Sequence, residues 1–173
     1  MLPFKSFLFG LLAASLAVAA PTPDNLLGEV IDALGIGLVT SIEVTLTLDT
    51  LSDNLVSISF EAQNPLPFEL TLDTVSTSAG LNGTTYASFD HSFGLHPVVV
   101  PPLGKANSGN ITNVPLTQGV DASLAIIPFG VLDLQEVDIN VRAGSIFGIG
   151  GVPLVISGLK QTNVPTTYNL DLS

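Results

Sequence analysis

From Ser41 to Asp49 every second residue is apolar. Ile42, Val44, Leu46 and Leu48 share one face of an extended chain, and Glu43, Thr45, Thr47 and Asp49 share the other. "LVSISFEA" (55–62) repeats the device with Val56, Ile58, Phe60 and Ala62. "FELTLDTV" (68–75) sets Phe68, Leu70 and Leu72 against Glu69, Thr71 and Asp73. This period of two predicts strands with one face on a core and one in water. "TLSDN" (50–54) predicts a hairpin connection between the first two strands.

Further strands are expected at 84–93, 96–102, 108–116, 121–129, 136–143, 153–161 and 167–172. The second of these is bracketed by Pro97, Pro101 and Pro102, which predicts an edge strand. Strands at roughly ten-residue spacing with turn signals between them mark a sandwich or barrel. No helical period appears after residue 36. Before it, Leu26, Leu27, Val30, Ile31 and Leu34 recur at three- and four-residue spacing. They predict one amphipathic helix within 20–37, entered through Thr22 and Pro23 and stopped by Gly35. Its polar face is acidic, so it is expected to pack on the domain rather than lie on a membrane.

Residues 1–19 read as a secretory signal peptide: Lys5 as the positive start, Ser6–Leu16 as a short apolar run, Ala17–Ala19 as a small-x-small cleavage site. Removing these 19 of 173 residues leaves 154, enough for one domain with a real core. Residues 38–173 are assigned to that β-domain. Lys105, Arg142 and Lys160 then face fifteen acids, a net charge of −12. Nucleic acid requires a basic footprint, which this chain lacks, and anionic membranes would repel it. There is no cysteine, so the expected fold relies on burial alone. The C-terminus is polar, no transmembrane segment is expected in the mature chain, and a cell-wall, protein or apolar-ligand partner is left open. Asn82-Gly-Thr84 and Asn110-Ile-Thr112 are sequons among turn residues, making Asn82 and Asn110 the candidate glycosylation sites.

Catalytic and metal patterns are weak. Asp90, His91 and Ser92 have the residue types of a hydrolase triad, but a strand would point His91 away from its neighbours. His91, His96 and Asp90 match no zinc spacing, and Asp49, Asp53 and Asn54 match no EF-hand spacing. "AGSIFGIGGVPLVISGL" (143–159) lacks the phosphate-loop pattern and reads as strand, glycine-rich turn and strand. Its exposed apolar turn could touch lipid or another protein. Catalytic and cofactor residues are therefore expected to be absent, and most carboxylates are expected on solvated strand faces.

One interruption carries the clearest signature. Between two alternating strands, 55–62 and 66–75, stands "QNPLP", with Asn64 and Pro65 at its centre. Pro65 has no N–H to give a ladder and holds Asn64 extended, so the pair predicts a corner between strands. An alternating strand ending in Asn-Pro and followed at once by another resembles the LEA14-like group, late embryogenesis abundant family 2, over about residues 38–160. That resemblance implies an immunoglobulin/fibronectin-III-like β-sandwich of about seven or more strands, a stress-protective association and no catalytic residues. The expectation is a secreted, N-glycosylated, non-enzymatic protein with a protective or interaction role at the cell surface or wall. A carrier of a lipid or small apolar ligand is the alternative, and a wall-polymer hydrolase ranks last.

Overall fold

The computed structural model describes residues 37–171. The signal segment and the helix expected within 20–37 lie, apart from Gly37, outside the described residues. The described chain is all-β, with nine strands forming one continuous mixed sheet. They are β1 (Val39–Thr47), β2 (Leu55–Gln63), β3 (Leu70–Leu81), β4 (Thr84–Ser92), β5 (Val98–Val100), β6 (Lys105–Asn107), β7 (Ile111–Pro115), β8 (Val131–Ala143) and β9 (Val152–Asp171). Two short helices interrupt them, α1 (Thr50–Asp53) and α2 (Gly119–Ile126), the latter followed by a 3-10 turn at Ile127–Phe129.

The sheet runs β4-β3-β8-β9-β1-β2-β6, with β5 beside β3 and β7 beside β2. The long strand β9 joins its two halves. Its first part pairs antiparallel with β8, and its last part pairs parallel with β1, from Ile42↔Thr166 to Thr47↔Asp171. Both halves contribute to one apolar cluster: Ile42, Val44, Val56 and Ile58 from one, Val75, Val137, Ile139 and Ile156 from the other. The expected pair of strands at 153–161 and 167–172 is thus a single strand, kept continuous by register shifts along the β8–β9 pairing.

The period-two pattern holds where a strand exists and fails at its ends. Val56, Ile58, Phe60 and Ala62 are all buried, as are Leu70 and Leu72. Leu48 and Phe68, assigned to the inner face, are exposed because β1 stops at Thr47 and β3 starts at Leu70. A register shift between Leu72 and Thr74 moves the inward set of β3 from even to odd positions, so Val75 and Thr77 are buried after it. β5 pairs only with β3, as expected of a proline-bracketed edge.

The stretch 121–129, expected as a strand, is mostly helix. Gly119, at a φ of 79°, turns the chain. The Asn54 side chain then accepts the Val120 N–H at 2.8 Å, and Ser123 Oγ donates to the Gly119 carbonyl at 2.8 Å. Orphan donors at a helix start need such acceptors, and here one comes from a residue far away in sequence. The hairpin at 50–54 forms as expected, around buried Thr50. Its hydroxyl accepts the Thr47 N–H at 3.0 Å and donates to the Leu55 carbonyl at 2.7 Å.

The Asn-Pro corner carries the chain from β2 in one half to β3 in the other. Asn64 is 1% exposed. Its Nδ2 donates to the carbonyls of Phe68 (2.7 Å), Val100 (3.3 Å) and Pro101 (3.2 Å), and its Oδ1 accepts the Leu66 N–H at 2.9 Å. Asn64→Leu would fill the space but strand these backbone groups in a dry corner. We expect it to lower stability by about 3 kcal/mol. Urea unfolding should show a lower midpoint, and an unchanged midpoint would refute the corner's structural role.

Candidate functional site

The turn at 144–151 is the most distinctive surface of the described chain. β8 delivers it at Ala143 and β9 resumes at Val152. Ile146 and Ile149 exchange two backbone hydrogen bonds, both 3.1 Å. Between them Phe147 and Gly148 have φ values of 52° and 76°. Two consecutive positive φ angles are the signature of a type I′ turn, which usually takes Asn-Gly. A phenylalanine in the left-handed region costs about 1–2 kcal/mol, and burial does not repay it. Phe147 is 89% exposed, beside Ile146 at 70% and Ile149 at 79%.

Charged side chains lock the turn from beneath. Glu69 Oε1 accepts the Ser145 hydroxyl at 2.8 Å and the Gly148 N–H at 2.9 Å, and Oε2 accepts the Phe147 N–H at 3.2 Å. Ser145 Oγ also lies 2.7 Å from Thr71 Oγ1, and both residues are buried. Arg142 grips Asp73 with two bonds of 2.8 Å, and its third nitrogen donates to the carbonyls of Gly148 (2.8 Å) and Gly150 (3.0 Å). The Gly148 N–H, then Ser145, hold the Glu69 carboxyl below its usual range. The hydrogen bonds that Arg142 donates to Asp73 hold its guanidinium more firmly charged. Glu69, Thr71 and Asp73, expected as a solvated face, therefore lie under the turn, and Thr71 is 0% exposed. In the sequence Arg142 counts only as a charge; the signal for its role is its place directly before the glycine-rich run.

The other expected sites are spread over the molecule. Asn82 sits with Gly83 in the β3–β4 turn, at φ values of 50° and 80°, and is exposed. Asn110 is exposed just before β7. Asp90, His91 and Ser92 lie on β4 opposite Ser76, Val75 and Thr74, so strand alternation separates the histidine from its neighbours. The His91 ring meets Phe93 edge-on at 4.8 Å. Asp53 Oδ1 accepts the Leu55 N–H at 2.9 Å, so that turn spends its oxygens locally. Among the described residues no group of three or more His, Asp or Glu residues is placed to hold a metal, and no helix is long and apolar enough to cross a membrane.

Between the halves of the sheet lies an apolar cavity of about 80 Å³, lined by residues including Val44, Phe60, Tyr86, Phe89, Ile126 and Tyr168. The Tyr168 hydroxyl is buried without a hydrogen-bond partner, and burial raises its pKa. Pockets for drug-sized ligands measure roughly 300–1,000 Å³, so this volume suits at most a very small molecule.

Neither a protein-family model nor a curated protein matches the chain. A crystal structure of a protein from Archaeoglobus fulgidus is similar to it at 12% identity and a TM-score of 0.31, covering 72% of this chain and 97% of that one. A likeness that weak carries no functional argument.

Two outcomes test the turn. Phe147→Asn supplies the preferred Asn-Gly pair and removes a ring that buries little, so it should raise stability by about 0.5–1 kcal/mol in urea unfolding. The folded-state pKa of Glu69 is lowered, so its hold is complete above the unfolded value of about 4.3 and fades as pH falls through the folded one. Protection of the Phe147 and Gly148 amides against hydrogen exchange should fade over that acid range, and Glu69→Ala should abolish it at neutral pH. Equal protection in wild type and variant at neutral pH would exclude Glu69 as the anchor.

Proposed function

We propose that this chain is a secreted, N-glycosylated, non-enzymatic β-sandwich of LEA14-like type, and that it works by contact at the cell surface or wall. The observation that carries the reading is the apolar turn: three large side chains held in water on a strained, charge-anchored backbone (Phe147 φ 52°). Large exposed apolar groups mark interaction sites when they cluster. The alternating strands, the shared core and the buried Asn64 support the immunoglobulin/fibronectin-III-like assignment, with β9 as a strand common to both halves.

The proposed Asn82 sugar leaves the contact free. β3 runs from Leu70, beside the turn, to Leu81, and Asn82 follows it. Twelve residue steps from Leu70 at about 3.3 Å put Asn82 roughly 40 Å from the turn's end of the strand. A carrier role ranks second because the cavity is about 80 Å³.

Expression of the full chain in a glycosylating secretory host tests this reading. The protein should reach the extracellular side without residues 1–19, lose the mass of two glycans on N-glycosidase treatment, and remain partly bound to the producing cell's surface. Phe147→Asn should release that bound fraction several-fold. Accumulation in the cytosol, or surface retention indifferent to Phe147, would overturn it.

A further inference from the structure

We propose that the 144–151 turn inserts into an uncharged lipid surface, with the Phe147 ring and the Ile146 and Ile149 side chains entering hydrocarbon. This rests on the reading of the turn as the contact site and names what it contacts. The first support is hydrogen-bond accounting. The N–H groups of Ile146, Phe147, Gly148 and Ile149 all have partners within the protein, as do the carbonyls of Ile146, Gly148, Ile149 and Gly150. Water would satisfy these groups on an ordinary exposed turn, and a protein groove could supply partners of its own. Hydrocarbon supplies none, so a segment that enters it must satisfy its backbone internally. Over residues 146–149 this turn recruits a carboxylate and a guanidinium to do so, leaving only the Phe147 carbonyl outside that set.

Charge selects the kind of lipid. Arg142 is committed to Asp73 and to two turn carbonyls, so its guanidinium is not free to reach a phosphate. Lys105, from the strand β6 that follows this corner, is paired with Glu61 at 2.8 Å. The two ion pairs Lys105–Glu61 and Arg142–Asp73 thus neutralise most charge near this end of the sheet. Glu69 remains, turned inward onto the Ser145, Phe147 and Gly148 donors. The rest of the chain is acidic, which opposes anionic lipid and leaves a zwitterionic surface as the fitting partner. Further apolar groups stand at the same end: Val152 and Phe68 are exposed, and Leu103, whose N–H donates to the Leu66 carbonyl at 3.0 Å, is 73% exposed. They would meet the interface around the inserted turn.

Vesicle flotation of the purified full-length secreted protein tests this. Wild type should float with pure phosphatidylcholine vesicles, keep its affinity from 0.1 to 1 M salt as roughly expected of a non-electrostatic contact, and bind no better when phosphatidylserine is added. Phe147→Asn keeps the turn geometry and should weaken binding at least about tenfold. Leu170→Ser, at an exposed position far along β9, should leave it unchanged. The chain has no tryptophan, so Phe147→Trp provides a clean probe whose fluorescence should be quenched by brominated phosphatidylcholine. Failure of wild type to float, dependence on anionic lipid, equal binding by Phe147→Asn, or absence of quenching would each overturn the proposal. If wild type ignores these vesicles while cell-surface retention still requires Phe147, lipid insertion falls and the contact reading survives with a protein or polymer partner. If retention is also indifferent, both fall.

Discussion

One buried amide holds the crossing on which the rest of the described structure depends. To pass from β2 to β3 the chain must leave one half of the sheet and enter the other, and at that point no ladder serves its backbone. Pro65 removes one donor, and the carbonyls of Phe68, Val100 and Pro101 face inward. Carboxamide chemistry fits this need: the two N–H bonds of Asn64 Nδ2 are shared among three carbonyls, and its oxygen accepts the Leu66 N–H. A hydroxyl has too few donors and a carboxylate has none when ionised. The amide also ties the start of β3 to the end of β5. It therefore sets where Leu70 begins, and with it the positions of Glu69 and Asp73 on the face beneath the 144–151 turn.

Much of this was legible because a half-buried strand writes its environment at every second position. Val56 to Ala62 and Val137 to Val141 could be assigned by alternation alone, and all are buried as alternation requires except at strand ends. Asn64 and Pro65 were legible as a corner because a missing N–H has a local consequence. The amide's four partners were not, since two of them belong to residues 100 and 101. The bulge that turns β3 from even to odd parity was equally silent, because either parity offers apolar residues at 70–79.

The misread segments share a cause: their structure is decided by residues distant in sequence. "DASLAIIPF" contains enough β-branched and apolar residues to read as a strand, yet the Asn54 side chain caps its first turn and makes it a helix. Glu69, Thr71 and Asp73 alternate like a solvated face and would be one if 144–151 projected straight into water. The turn instead folds back over them, so Thr71 is fully buried through its hydroxyl contact with Ser145. Alternation reports which residues share a face. It cannot report that a loop 74 or more residues later covers that face.

The same covering explains why a residue as ill-suited as Phe147 can hold its place. A left-handed phenylalanine in a free loop would relax to another conformation at little cost. Here relaxation would cost two carboxylate bonds, two guanidinium bonds and the paired bridge between Ile146 and Ile149. The strain is over-determined by its surroundings, the condition under which strained backbone persists and tends to coincide with function. Asn-Gly would make the turn more easily but would present nothing apolar. Presenting a rigid aromatic tip, with its N–H and those of its neighbours already satisfied, is the property that the charged scaffold beneath it secures.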